Sequence, residues 1–355
     1  MLSNPETAVN VSPPAKAEPP PAWFAEAMAA LMERRELTDR QMRAVIHEMM
    51  SGACGDVETA ALLMALRMKG ETAGELAAAA AVLREQMIRL DTGRTDVLDT
   101  CGIGGDGTAT FNISTAAALL AAGAGVAVVK HGNRAVSSSS GSADVLVALG
   151  VRLQDTVAWV QQCLSEAGLA FCFAPQFHPA LKTVAPIRRR LGVRTLFNCL
   201  GPLANPAGAS YQLLGVGRPE LLDSLAGALA RLGTRHALLV CGKDGLDEVS
   251  LSAGTLVREV RGSKVESHEW SPADFGLAPV SLAELRVRGP EESAAVIRSI
   301  LDGHDGPAAR VVIANAAAAL LAAEQVETLR EGTVRARQAI ESGKARQVLQ
   351  RLIAC

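Results

Sequence analysis

From Trp23 to about Leu90 the apolar positions recur at helical spacing, as at Met42, Val45, Ile46 and Met49. Thr38 with Gln41 and Thr72 with Glu75 have the spacing of capping boxes, and Gly52 and Gly70 stand where helices should stop. A bundle of roughly four short helices is expected, acting as scaffold or oligomer interface. At Val97 the pattern changes. Val97–Asp99 predicts a short strand, a glycine-rich loop follows, and an alanine-rich helix runs from Ser114 to about Ala122. Val126–Val129 predicts a second strand, followed by a polar loop and a helix from about Ser142 to Leu149. Strand, loop and helix twice over predict a parallel pairing in an α/β domain. Further strands are expected at Ala237–Cys241 and Thr255–Val260, and closing helices at Ala309–Ala323 and Val326–Ser342. Trp159–Leu191 reads as mostly helical and is expected to return to the first bundle.

The expected fold class is therefore α/β: a small helical bundle domain plus a larger α/β domain with a central, mostly parallel sheet flanked by helices. Residues 1–22 are expected as a disordered proline-rich tail, 23–93 with about 160–190 as the helical domain, and 94–159 with 191–355 as the α/β domain.

Composition narrows the function. Hydrophobic residues make up 49% of the 355 positions and charged residues 20%, enough for a sizeable core. A formal net charge of −2 gives no electrostatic case for nucleic acid or an anionic membrane, and 3% aromatics argues against base-stacking platforms. Seven cysteines lie scattered without a CxxC pair, which points to reduced thiols in a cytoplasmic protein rather than a disulfide framework or a zinc site. The longest apolar stretch, Ala116 to Val129, is 14 residues, short of the roughly 20 a membrane-spanning helix needs. The tail has no apolar core of a signal peptide.

Two loops carry the candidate chemistry. Gly102, Gly104 and Gly107 fit GxGxxG, a weak motif whose physical use is to bring backbone N–H groups against a phosphate near a helix N-terminus. A dinucleotide fold would place an acidic residue after the second strand, but Lys130 stands there. The stretch after the loop supplies Thr110, Asn112, Ser114 and Thr115, so it suits phosphates plus hydroxyl contacts. The second loop, Lys130 to Ser142, gathers two cations, an imidazole, an amide and a serine run between a strand and a helix. Both loops leave the carboxyl ends of strands and should face one crevice.

Taken together, GGDG, TFNIST, KHGNR and GSADVLVALG in order between Asp99 and Gly150 resemble the signature region of anthranilate phosphoribosyltransferases. Further matches are Phe173-Ala-Pro, His178-Pro-Ala, Pro186-Ile-Arg188, Arg194-Thr, Phe197-Asn198, Gly201-Pro202-Leu203, Asn205-Pro206, Asp244-Gly-Leu-Asp247-Glu248 and Asp274-Phe-Gly276. The resemblance runs from Trp23 to the end. Ile103 departs from it, standing where the family usually has threonine, with the loss of one hydroxyl expected near the substrates.

The resemblance implies transfer of the phosphoribosyl group of 5-phosphoribosyl-1-diphosphate to the amine of anthranilate, in tryptophan biosynthesis, with Mg²⁺ and through a homodimer joined by the helical domain. It implies donor binding by Gly102, Gly105, Asp106, Thr110, Asn112, Ile113, Ser114 and Thr115. The second loop adds Lys130, His131, Gly132, Asn133, Arg134, Ala135, Val136, Ser137, Ser138 and, nearby, Ser142. Metal binding carries over to Ser114, Asp247 and Glu248, hard oxygen ligands of the kind Mg²⁺ prefers. Anthranilate binding carries over to Gly102, Asn133, His178 and Arg188, the last because a guanidinium grips a carboxylate bidentately. Lys130 and His131 are expected as catalytic residues. Arg189 and Arg190 fall outside the motif and are expected on a solvated face. Two other readings differ in chemistry. A pyrimidine nucleoside phosphorylase would share the architecture but usually has a longer chain. A non-catalytic nucleic-acid-binding homologue should be basic and lack the donor loops.

Overall fold

The computed structural model describes residues 21–105, 107–134, 140–153 and 156–355. The first 20 residues, most of the expected tail, lie outside them, as do Asp106, Ala135, Val136, Ser137 and Ser138.

The helical spacing at the start of the chain resolves into four helices, Ala22–Met32, Asp39–Ser51, Asp56–Lys69 and Ala73–Gln86. Both capping boxes form, with the Thr38 and Thr72 hydroxyls accepting from the backbone N–H of Gln41 and Glu75. Gly52 ends its helix at φ 81°, a left-handed conformation that favours glycine. Met42, Val45, Ile46 and Met49 are buried, as their spacing predicts.

The sheet has seven strands among the described residues: β1 Leu98–Gly102, β2 Val128–Gly132, β3 Leu169–Phe173, β4 Tyr211–Gly215, β5 His236–Gly242, β6 Thr255–Arg261 and β7 Lys264–Trp270. Their order is β3-β2-β1-β4-β5-β6-β7. The first five are parallel, and β6 and β7 add antiparallel at one edge. Period-two alternation divides the apolar side chains between two cores. Leu213, Leu238 and Val240 join helices Ile113–Gly123 and Pro307–Ala322 on one face. Leu214, Leu239 and Cys241 join the four-helix bundle on the other. A fully buried leucine on either face contributes about 1.5–3 kcal/mol. The bundle is therefore part of the sheet's packing.

Most of one helical segment does not return to the bundle as read, although it is mostly helical: Trp159–Leu191. Only Leu181–Leu191 returns to the bundle, packing against helices Asp39–Ser51 and Asp56–Lys69. Leu169–Phe173 is strand β3, paired along its length with β2, and helix Val157–Ala167 packs on it. A five-residue apolar run has too little length for periodicity to separate strand from buried helix. No helix of the described residues is long and apolar enough to cross a membrane.

Strand order reverses between β1 and β4, where Gly102 registers with Gly215 at the carboxyl ends. Open α/β sheets bind ligands in the crevice at such a switch point. After β3, residues 174–203 pass through the bundle before the chain re-enters the sheet as β4. That excursion places Arg188 and Arg194 on the bundle side of the crevice.

Candidate functional site

The glycine loop leaves β1 under backbone control. Ile103 donates its N–H to the Gly215 carbonyl at 3.0 Å, tying the loop to the next strand. Gly104, Gly105 and Gly107 then turn at φ 64°, 80° and 70°, a path that side chains resist. Beyond the turn, Phe111 donates to Leu285 O at 3.0 Å and Val287 to Ala109 O at 2.9 Å, which anchors the loop's far end. Asn112 caps helix Ile113–Gly123, accepting from Thr115 N at 3.1 Å, while its amide reaches Ser140 O at 3.3 Å. Its side chain is therefore occupied holding the two loops together. Ile113 and Thr115 are buried, so their expected donor contacts are restricted to backbone N–H groups at the helix N-terminus, where an anion is favoured. Ser114 and Thr110 remain partly exposed. The Ile103 side chain turns into the bundle core with Cys101 and Leu196, so its apolar character adds packing there.

Lys130 lies behind the site. It is 2% exposed, and its ammonium donates to the Thr100 carbonyl and, at 3.0 Å, to the Ser114 hydroxyl. Burial pushes its pKa down, and the carboxylates of Asp99, Glu248 and Asp247 oppose that shift. Asp99, wholly buried on β1, also accepts from the His131 N–H at 3.1 Å. A catalytic lysine in direct contact with the donor does not match this placement; Lys130 acts on Ser114 instead. The loop beyond it begins with Gly132 half-buried and Asn133 exposed. Asn133 uses its side-chain oxygen on the Arg134 N–H and its carbonyl on the Ala143 N–H, at 2.8 and 3.2 Å. Ser142 Oγ lies 3.5 Å from that same carbonyl. Arg134 pairs with Asp144 at 3.0 Å on the exposed side.

His131 and His178 form a buried pair, Nε2 to Nε2 at 3.2 Å. The Gly201 carbonyl, 3.0 Å from His131 Nδ1, can only accept, so Nδ1 carries the proton. Nε2 of His131 then accepts from His178. Burial first, then the neighbouring His178, pushes His131 to about 3; burial pushes His178 to about 4. Both rings are neutral at physiological pH, and both nitrogens of His131 are engaged. The expected catalytic role of His131 gives way to a structural one, because a general base needs a lone pair that a substrate proton can reach.

Asp247 and Glu248 follow β5 in a turn held by Asp244, whose carboxylate accepts from Leu246 N at 3.3 Å and Ser250 Oγ at 2.8 Å. Asn315, wholly buried in an alanine-rich helix, accepts from Val249 N at 2.9 Å and donates to Val249 O at 3.0 Å. That brace immediately follows Glu248. The Asp247 carboxylate lies over Gly102, where an added Cβ would sit 2.9 Å from its oxygen. A Cβ on Gly215 would collide with the Asp247 carbonyl oxygen. The two carboxylates thus converge on the switch point with oxygen donors that suit Mg²⁺. Ser114 fits less well, because the Lys130 ammonium already occupies one of its lone pairs. Gly215→Ala is expected to cost about 1–3 kcal/mol, since the Asp247 backbone must move, and to lower kcat with it. Chemical denaturation with initial rates checks this; an unchanged midpoint and rate would contradict the close packing.

Arg188, on helix Leu181–Leu191, is half-buried with its guanidinium 5.6 Å from the centre of the Phe197 ring. Burial first, then the neighbouring charge of Arg194, lowers its pKa. Among the described residues it forms no ion pair, which leaves it able to receive a carboxylate. Arg189 and Arg190 are exposed, as expected, with Arg190 3.5 Å from Asp56. Sequence reasoning gave no role to Asp99, Asn315 or Arg194. Asn315 had one available signal, a lone amide in a helix otherwise built of alanine and aliphatic residues.

Comparison with known proteins agrees with this architecture. The helical bundle domain of the Glycosyl transferase family matches residues 25–87, and the a/b domain of that family matches residues 94–346. An anthranilate phosphoribosyltransferase of Symbiobacterium thermophilum is 51% identical over 90% of this chain and 94% of its own. One from Nitrosomonas europaea is 46% identical over 92% and 96%. The crystal structure of anthranilate phosphoribosyltransferase from Thermus thermophilus superposes with a TM-score of 0.86 at 43% identity, covering 92% of this chain and 98% of that one. The Saccharomyces cerevisiae enzyme in complex with PRPP and Mg superposes at 0.84 with 28% identity, covering 94% and 97%. The chain belongs to the glycosyl transferase family, among its anthranilate phosphoribosyltransferases.

Proposed function

We propose that this chain transfers the phosphoribosyl group of 5-phosphoribosyl-1-diphosphate to the amine of anthranilate, releasing pyrophosphate, as a step in making tryptophan. The observation that carries the reading is the convergence at one switch point of a glycine loop, a helix N-terminus, a pair of carboxylates and, across the crevice, Arg188. The glycine loop and the first turn of helix Ile113–Gly123 hold the donor's phosphates. Thr110, Ser114 and the exposed start of the second loop, Gly132 to Arg134, complete that wall. Asp247 and Glu248 hold Mg²⁺, which when bound supplies charge neutralisation to the pyrophosphate group.

Arg188 holds the anthranilate carboxylate, with Gly102 and Asn133 beside it, and turns the amine toward the sugar. The amine lone pair forms the new bond to the anomeric carbon as the bond to the pyrophosphate oxygen breaks. The proton on the resulting nitrogen goes to solvent. An arylamine is unprotonated at neutral pH, so no strong base is required. That agrees with the neutral, engaged state of the His131 and His178 rings. Positioning of the two substrates supplies a large part of the acceleration.

Exposed Met32, Val57 and Met68 on the bundle favour a homodimer through that face, which sedimentation at micromolar concentration tests against a monomer. Cytoplasmic location fits the reduced-thiol composition, and cell fractionation finding the protein elsewhere would overturn it. The donor and metal assignments are tested by calorimetric titration of 5-phosphoribosyl-1-diphosphate with Mg²⁺ and with excess EDTA. Tight binding with the metal and weak binding without it is the expected result. Equal affinity in both would remove the metal from donor recognition.

A further inference from the structure

Arg194 stands between the two walls of the crevice. It belongs to the short connection after helix Leu181–Leu191, yet its guanidinium donates to the Ile103 carbonyl of the glycine loop at 2.5 Å. It also lies flat against Gly105, where a Cβ would collide with Nη1 and sit 2.9 Å from Cζ. Gly105 is therefore glycine for two reasons, its φ of 80° and the cation behind it. The Arg194 Nε–H is buried without a partner, and among the described residues no carboxylate forms an ion pair with this side chain. Arg188, Arg218 and Arg67 all act on it or are acted on by it as like charges. Gathering half-buried cations with no paired carboxylate is costly in a free protein. It is compensated when a polyanion enters.

We propose that Arg194 is the positioning residue for the donor's pyrophosphate: it braces the glycine loop from behind, so that the loop's N–H groups meet the phosphates, and adds positive potential beneath them. This inference rests on the donor being 5-phosphoribosyl-1-diphosphate. Because Arg194 approaches the loop from the bundle side, any shift of the bundle against the sheet also moves the donor cradle. Arg188, six residues earlier on the same segment, serves the acceptor and needs no help from Arg194.

The test compares R194A, R194Q and R194K with the wild-type protein. Four quantities are read: KM for donor, KM for anthranilate, the Kd of Mg²⁺-pyrophosphate by calorimetry, and the thermal midpoint. Loss of a charge-assisted hydrogen bond corresponds to about ten- to hundredfold weaker binding. R194A should raise donor KM and pyrophosphate Kd by that factor, keep anthranilate KM within about threefold, and keep the midpoint. R194K, which retains the charge and one N–H toward Ile103, should recover most of the loss. Should R194A fail to fold, R194Q against R194K makes the same comparison, because only the charge separates them. A donor KM within about threefold of wild type would overturn the proposal. So would a parallel rise in both KM values with a lowered midpoint that lysine does not restore. An inactive wild-type protein would instead overturn the assignment of the reaction.

Discussion

Asp247→Asn combined with Glu248→Gln is expected to lower kcat by about 10²–10³-fold or more, the range set by removing a preorganised electrostatic group from a reaction that expels charge. The amides keep the shape of the carboxylates, so the packing of Asp247 over Gly102 survives. The brace from Asn315 to Val249 is untouched, so the turn keeps its path. What disappears is the negative charge that holds Mg²⁺ at the switch point. The same charge also stabilises the buried Lys130 ammonium, so its loss pushes that amine further toward neutrality. Initial rates across a Mg²⁺ titration, with a thermal melt as control, check both consequences. A folded double variant with near-normal turnover would show that the metal lies elsewhere.

Arg188→Ala has the second largest expected effect. Removing one partner of a partly buried, hydrogen-bonded charge pair costs about 2–3 kcal/mol, so anthranilate KM should rise by roughly 30- to 150-fold. The donor KM should stay close to wild type, because the glycine loop is supported from Arg194, Gly215 and Leu285. Lysine should not restore the acceptor affinity, since it cannot present two parallel N–H groups to one carboxylate. Steady-state kinetics with each substrate varied in turn decide the matter. An unchanged anthranilate KM would remove Arg188 from acceptor binding.

The sequence was most legible where local chemistry fixes local structure. The Thr38 and Thr72 boxes, the Gly52 stop and the apolar run of β5 each have a mechanism confined to a few residues. β4 was not legible: it is five residues long, wholly buried, and placed between β1 and β5 by pairings far apart in the chain. β7 was missed for the opposite reason, because it is a polar edge strand whose Lys264, Glu266 and Glu269 suggest a solvated loop.

At the site, residue type told which chemistry was present better than where each group pointed. Lys130 and His131 sit in a motif rich in phosphate-binding groups, and only the three-dimensional register shows them turned inward on β2. Asp247 and Glu248 read as an ordinary turn until Gly102 and Gly215 are seen beneath them. Arg194 could not be found from spacing, since its partners lie about ninety residues earlier in the chain. Conversely, Ile103 looked like a lost substrate contact and proved to be a packing residue of the bundle.

The most direct measurement is the loss of anthranilate fluorescence on mixing the purified protein with 5-phosphoribosyl-1-diphosphate, once with Mg²⁺ and once with excess EDTA. Loss that requires both the donor and the metal is the predicted result, and it establishes donor, acceptor and metal together. A folded sample that leaves the fluorescence unchanged in both conditions would contradict the assigned reaction.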